Sequence, residues 1–134
     1  MSQAKNSMTP PLSRGDLLGD VWSLASSALL ARWPRTLATE SHGEDLVRHT
    51  GTFTLGPDKL ICAVTWTFTE GALATLSLKP EGGRGELNEL LLVIGVSPSS
   101  LEPVGDGLFS VQTGRTRFDV DRLDSVISVH EVCG

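Results

Sequence analysis

The sequence predicts an α+β fold: a mostly antiparallel five- or six-stranded sheet, packed on one face by an N-terminal helix and a second short helix. Three observations carry this. The segment Leu60–Thr69 alternates Leu60, Cys62, Val64, Trp66 and Phe68 with Ile61, Ala63, Thr65, Thr67 and Thr69, the period-two pattern of a strand with one face on a core. Tight-turn sequences, Gly56-Pro57-Asp58-Lys59 and Glu70-Gly71, bracket that segment and join it to similar ones. Ahead of it, Leu18, Val21, Trp22, Ala25, Leu29 and Trp33 recur at spacings of three and four, an amphipathic helical stripe that needs an apolar sheet face to cover it.

In chain order, residues Met1 to Leu12 are polar, contain Pro10-Pro11 and are expected to form a flexible leader, with a single domain over 13–134. Ser13 and Asp16 make a capping-box pattern, and the helix is predicted over Arg14 to Trp33, stopped by Pro34. Arg35 to Gly43 reads as a connector. A first strand is expected over Leu46–Leu55, with Phe53 and Leu55 on one face and Thr50, Thr52 and Thr54 on the other. Leu60–Thr69 and Ala72–Lys79 complete a meander. Leu87, Leu90, Leu91 and Ile94 then place a helix over Glu86–Ile94, closed by Gly95, although Leu90–Ile94 would also suit a buried strand. Val96 to Gly107, with two prolines and two glycines, reads as a loop. Leu108–Thr113 and Thr116–Asp121 form a hairpin across Gly114-Arg115, and Val126–Cys133 is the last strand.

Composition narrows the function. The 134 residues carry 16 acidic and 11 basic side chains, for a net charge of −5. A nucleic-acid binder uses a clustered basic stripe, whereas here Arg32 with Arg35 and Arg115 with Arg117 are isolated pairs. No apolar run approaches the ~20 residues that span a bilayer. The first eight residues lack an apolar signal core and two cysteines make no disulfide framework, so a cytoplasmic, reducing location is expected.

Motifs that could carry chemistry have plainer explanations. Gly82-Gly83-Arg84-Gly85 matches no phosphate-binding fingerprint and is followed by Glu86, so it reads as a turn. His130 and Cys133 have a ligand-like spacing, but Cys62, His42 and His49 would have to converge on them for zinc to find its ligands; Cys62 reads as core, and neither metal nor cofactor is expected. No serine sits in a nucleophile elbow, and Glu44-Asp45 point to opposite strand faces. Arg14-Gly15-Asp16 matches an adhesion tripeptide, yet Asp16 is accounted for by helix capping. The chain is therefore expected not to be an enzyme. Threonine rows (50, 52, 54; 65, 67, 69; 75 with Ser77) share one face, either solvated or a surface for a partner chain.

The order helix, three strands, helix, two strands in a small acidic chain, carried by Leu17–Trp33, Leu46–Lys79, Glu86–Ile94 and Leu108–Asp121, resembles the small acidic chaperones of bacterial type III secretion. That resemblance implies a homodimer whose first helix and strands hold an unfolded segment of an effector. It departs at the end, where those chaperones carry a helix and this chain has Val126–His130. The expected function is a non-enzymatic, chaperone- or adaptor-like module that captures a polypeptide on Leu17, Trp22, Leu24, Leu30 and Trp66. The alternatives are a small-molecule pocket protein or enzyme, and a viral or phage accessory protein that stacks RNA bases on Trp22 or Trp33.

Overall fold

The computed structural model describes residues 9–17, 20–43 and 45–132. It is α+β, and its sheet is mostly antiparallel, but the sheet has nine strands among the described residues rather than five or six. The strands are β1 (Pro11–Leu12), β2 (Ala38–His42), β3 (Leu46–Leu55), β4 (Leu60–Thr69), β5 (Ala72–Pro80), β6 (Glu102–Gly105), β7 (Leu108–Thr113), β8 (Thr116–Asp121) and β9 (Val126–Glu131). Their spatial order is β1-β3-β4-β5-β9-β8-β7-β6, and β2 pairs with the other end of β3. Pro11 and Leu12, placed in the leader by their neighbours, add a parallel pair against Thr54 and Leu55. The presumed connector supplies β2, and the presumed loop supplies β6 after a 3₁₀ turn at Pro98–Ser100. Cys133 and residues 1–8 lie outside the described residues.

The meander follows from local chemistry. Glu70 and Gly71 have φ of 53° and 83°, the two left-handed residues that a type I′ hairpin turn demands. β3 and β4 run in register from Leu46↔Thr69 to Leu55↔Leu60, so the odd positions of β3 and the even positions of β4 share a face. That face buries Phe53, Leu55, Cys62, Val64, Trp66 and Phe68. It continues through Leu76, Leu78, Ile127, Val129, Phe118 and Val120 into one core cluster. The opposite face carries the threonine rows, with Thr50, Thr65, Ser77 and Ser128 aligned across four strands and a Thr50–Thr65 hydroxyl bond of 3.1 Å.

The helical layer departs from expectation. Instead of one helix over residues 14–33, there is α1 (Arg14–Leu17), a 3₁₀ turn at Asp20–Ser23 and α2 (Ser26–Arg32). Gly15 and Gly19 each cost about 1 kcal/mol against alanine in a helix interior. Serine favours caps and turns over helix interiors, and Ala25, between Ser23 and Ser26, is extended (φ −95°, ψ 149°). The capping box does form: Ser13 N–H and Oγ both donate to Asp16 Oδ2 at 2.9 Å, and Asp16 N–H donates to Ser13 Oγ at 3.2 Å. The second helix, α3 (Arg84–Val93), buries Leu87, Leu90 and Leu91, with Ile94 beyond it. Glu86 accepts from the Gly82 amide at 2.9 Å, so the chain's own carboxylate occupies the glycine loop. No helix of the described residues is long and apolar enough to cross a membrane.

Gly51 shows how closely the connection from α2 to β2 sits on the sheet. A Cβ there would lie 2.9 Å from Leu37 Cδ2, 3.0 Å from Phe53 Cε1 and 3.1 Å from the Thr36 carbonyl. Gly51→Val is therefore expected to cost about 1–3 kcal/mol by overpacking, read as a lower urea midpoint with an unchanged slope.

Candidate functional site

Where α1, the 3₁₀ turn and α2 meet the apolar face of β3 and β4, the side chains leave a cavity of about 190 Å³. Val21, Leu24, Leu29, Trp33 and Trp66 make its apolar wall, and Asp16 and Arg32 its polar one. The wall is held by aromatic packing: Trp33 meets Phe53 edge-on at 5.0 Å, and Phe53 meets Trp66 edge-on at 5.6 Å. Arg32 pairs with Asp16 at 2.7 Å and lies 5.1 Å from the Trp33 ring centre. With the Arg32 side chain 60% exposed, solvent screens the pair and an ion pair of this kind contributes ~0–1 kcal/mol. The same pair also lines a neighbouring groove of about 360 Å³, with Pro11, Leu12, Thr54 and Lys59.

Trp66 is 1% exposed, and its indole N–H meets no acceptor among the described residues. Leaving a buried donor unpaired costs about 1–3 kcal/mol. The helical pieces above it are far shorter than the ~12–15 residues that hold a helix in water unaided. They stay folded through their packing on the sheet.

Beside Trp66 in the β3–β4 register stands His49, a buried polar residue at 1% exposure. Ser26 Oγ lies 2.6 Å from its Nε2 and Thr39 Oγ1 lies 2.9 Å from its Nδ1. A neutral imidazole donates from one nitrogen and accepts at the other, so the two hydroxyls complete both roles. Burial pushes the His49 pKa below its ordinary value. The unfolded chain therefore takes up a proton more readily than the native one. The neutral ring's stabilisation is present above the ordinary histidine pKa near 6.5, begins to be lost as pH falls below it, and is gone below the depressed native pKa. For one group the slope is at most about 1.4 kcal/mol per pH unit. Urea unfolding at stepped pH is expected to show this loss in the wild type and a flatter dependence in His49→Gln.

The sequence-predicted residues divide. Leu24 and Trp66 line the cavity. Leu17 is wholly buried at 0%; α1 ends on it and turns it into the core, so it offers no surface in the folded chain. Trp22 packs partly against the core, and Leu30 is half-buried. Leu18 lies outside the described residues. Burial pushes the Cys62 thiol up to about 12, which leaves it a core side chain rather than a thiolate, and His130 Nε2 is held by Asp119 at 3.0 Å. Asp16, Arg32, Ser26, Thr39 and His49 were not foreseen as a site. Parity would have flagged His49, which shares the odd, buried side of β3 with Phe53 and Leu55.

Comparison with protein-family models, with curated proteins and with solved structures finds no match.

Proposed function

We propose that this chain is a binding module that captures a polypeptide segment by taking one apolar side chain into the Trp33–Trp66 cavity. The observation that carries the reading is the cavity's size and lining. At about 190 Å³ it falls below the ~300–1,000 Å³ of small-molecule and cofactor sites, yet it has room for one leucine- or phenylalanine-sized group. Apolar anchors seated in such pockets dominate the energetics of protein recognition. The groove across the Asp16–Arg32 pair offers the flanking backbone a path. A carbonyl of the segment that reached the Trp66 N–H would satisfy a donor that is otherwise unpaired.

The test is calorimetry with glycine–serine hexapeptides carrying one leucine, one phenylalanine or neither. Binding of the apolar peptides with a negative heat-capacity change and little salt dependence supports the proposal. Equal binding of the peptide without an apolar residue contradicts it. Leu24→Arg, which places a charged stem in the cavity wall, is expected to weaken binding at least tenfold, with far-ultraviolet circular dichroism unchanged. Gel filtration of the same sample tests the homodimer that the chaperone resemblance implies.

A further inference from the structure

We infer that Ser26 is a nucleophile activated by His49, with Thr39 positioning the ring, and that it accepts an acyl group from a carboxylic ester. This goes beyond peptide capture and does not depend on it. The arrangement is that of an activated serine: nucleophile oxygen within hydrogen-bond reach of the base, and the base oriented by a third group. Ser26 Oγ lies 2.6 Å from His49 Nε2, and Thr39 Oγ1 lies 2.9 Å from Nδ1. The three come from separate elements, α2, β3 and the edge strand β2, which the fold brings together over sequence separations of 23 and 10 residues. With Nδ1–H donating to Thr39, Nε2 presents its lone pair to the serine hydroxyl.

Exposure favours chemistry at the serine rather than a sealed polar contact. His49 is buried, whereas Ser26 is half-buried and Thr39 exposed, so the base is shielded while the residue that carries the nucleophile borders solvent. Burial keeps the ring neutral near pH 7, the form that can take a proton. A threonine in place of a carboxylate stabilises the transient imidazolium less than the aspartate of a serine triad does, so turnover is expected to be slow.

The step balances. As Ser26 Oγ bonds to the ester carbon, its proton passes to His49 Nε2. The tetrahedral adduct then collapses, the bond from carbon to the alkoxy oxygen breaks, and the leaving alkoxide takes that proton and departs as the alcohol. Water attacks the acyl-serine, giving its proton to Nε2. The serine oxygen leaves with that proton, and the carboxylic acid is released.

The test uses the full folded chain and a fluorophosphonate probe, whose phosphorus bonds to the serine oxygen as fluoride leaves. Peptide mapping by mass spectrometry is expected to find the adduct on Ser26, absent from Ser26→Ala and from urea-unfolded protein. Removing a general base costs roughly 100-fold or more, so His49→Gln is expected to slow labelling by that factor. Should His49→Gln fail to fold, the exposed Thr39 decides: Thr39→Val slows labelling and Thr39→Ser restores it, a rescue that a merely structural hydroxyl contact would not produce. A folded wild type that stays unlabelled, labels at another residue, or labels equally in Thr39→Val overturns the inference and leaves the trio as hydrogen-bond partners of a buried histidine.

Discussion

Phe53→Ala is expected to destabilise the chain by about 3–5 kcal/mol, the range for removing a fully buried phenylalanine. Phe53 is 0% exposed and stands between Trp33 and Trp66, edge-on to both. Its removal opens a void beside the existing cavity and unseats the tryptophan that joins α2 to the sheet. Against the ~5–15 kcal/mol by which domains are stable, this is a large fraction. Urea unfolding followed by tryptophan fluorescence should show a much lower midpoint. The neighbouring Thr52→Ala, on the exposed face of the same strand, should stay within about 0.5 kcal/mol of the wild type. Similar losses at both positions would mean that the apolar face of β3 is not the one on which the helices pack.

Trp66 is expected to respond differently to two substitutions. Trp66→Ala removes the largest fully buried side chain and should also cost about 3–5 kcal/mol. Trp66→Phe leaves a smaller aromatic ring in its place and deletes the unpaired N–H. The lost packing is then offset by removal of a donor whose burial costs about 1–3 kcal/mol, so its stability should lie close to that of the wild type. Binding should move the other way. A hydrogen bond formed only in the complex contributes about 0.5–1.5 kcal/mol, so the apolar hexapeptides should bind Trp66→Phe roughly 2- to 12-fold more weakly. A variant as unstable as Trp66→Ala would show that the indole N–H carries no such penalty.

Much of the sheet was legible because burial contrast along β3, β4 and β8 is written in alternation, and the turns that join the strands carry the residues their geometry needs. Strands β2 and β6 were hidden for a matching reason. Every residue of Ala38–His42 and of Glu102–Gly105 is exposed, so neither segment shows an apolar side, and Pro103 and Gly105 resemble loop residues. The first helix was overread: Val21, Leu29 and Trp33 still pack on the core, yet the chain leaves the helical path between Ser23 and Ser26, where Ala25 is extended. The site was less legible than the fold. Asp16 was explained by its bond to Ser13, and nothing local shows that the chain turns back to bring Arg32 within 2.7 Å of it. Ser26, Thr39 and His49 converge only because β2 folds back on β3, with Thr39 opposite His49.

The most direct measurement is the indole ¹H–¹⁵N spectrum of the protein titrated with the leucine-bearing hexapeptide, with the Trp66 signal assigned from its absence in Trp66→Phe. Capture of an apolar side chain beside an unpaired donor predicts a saturating downfield shift of the Trp66 N–H, absent with the glycine–serine peptide. Peptide binding that leaves the Trp66 signal unmoved, or no binding at all, would contradict it.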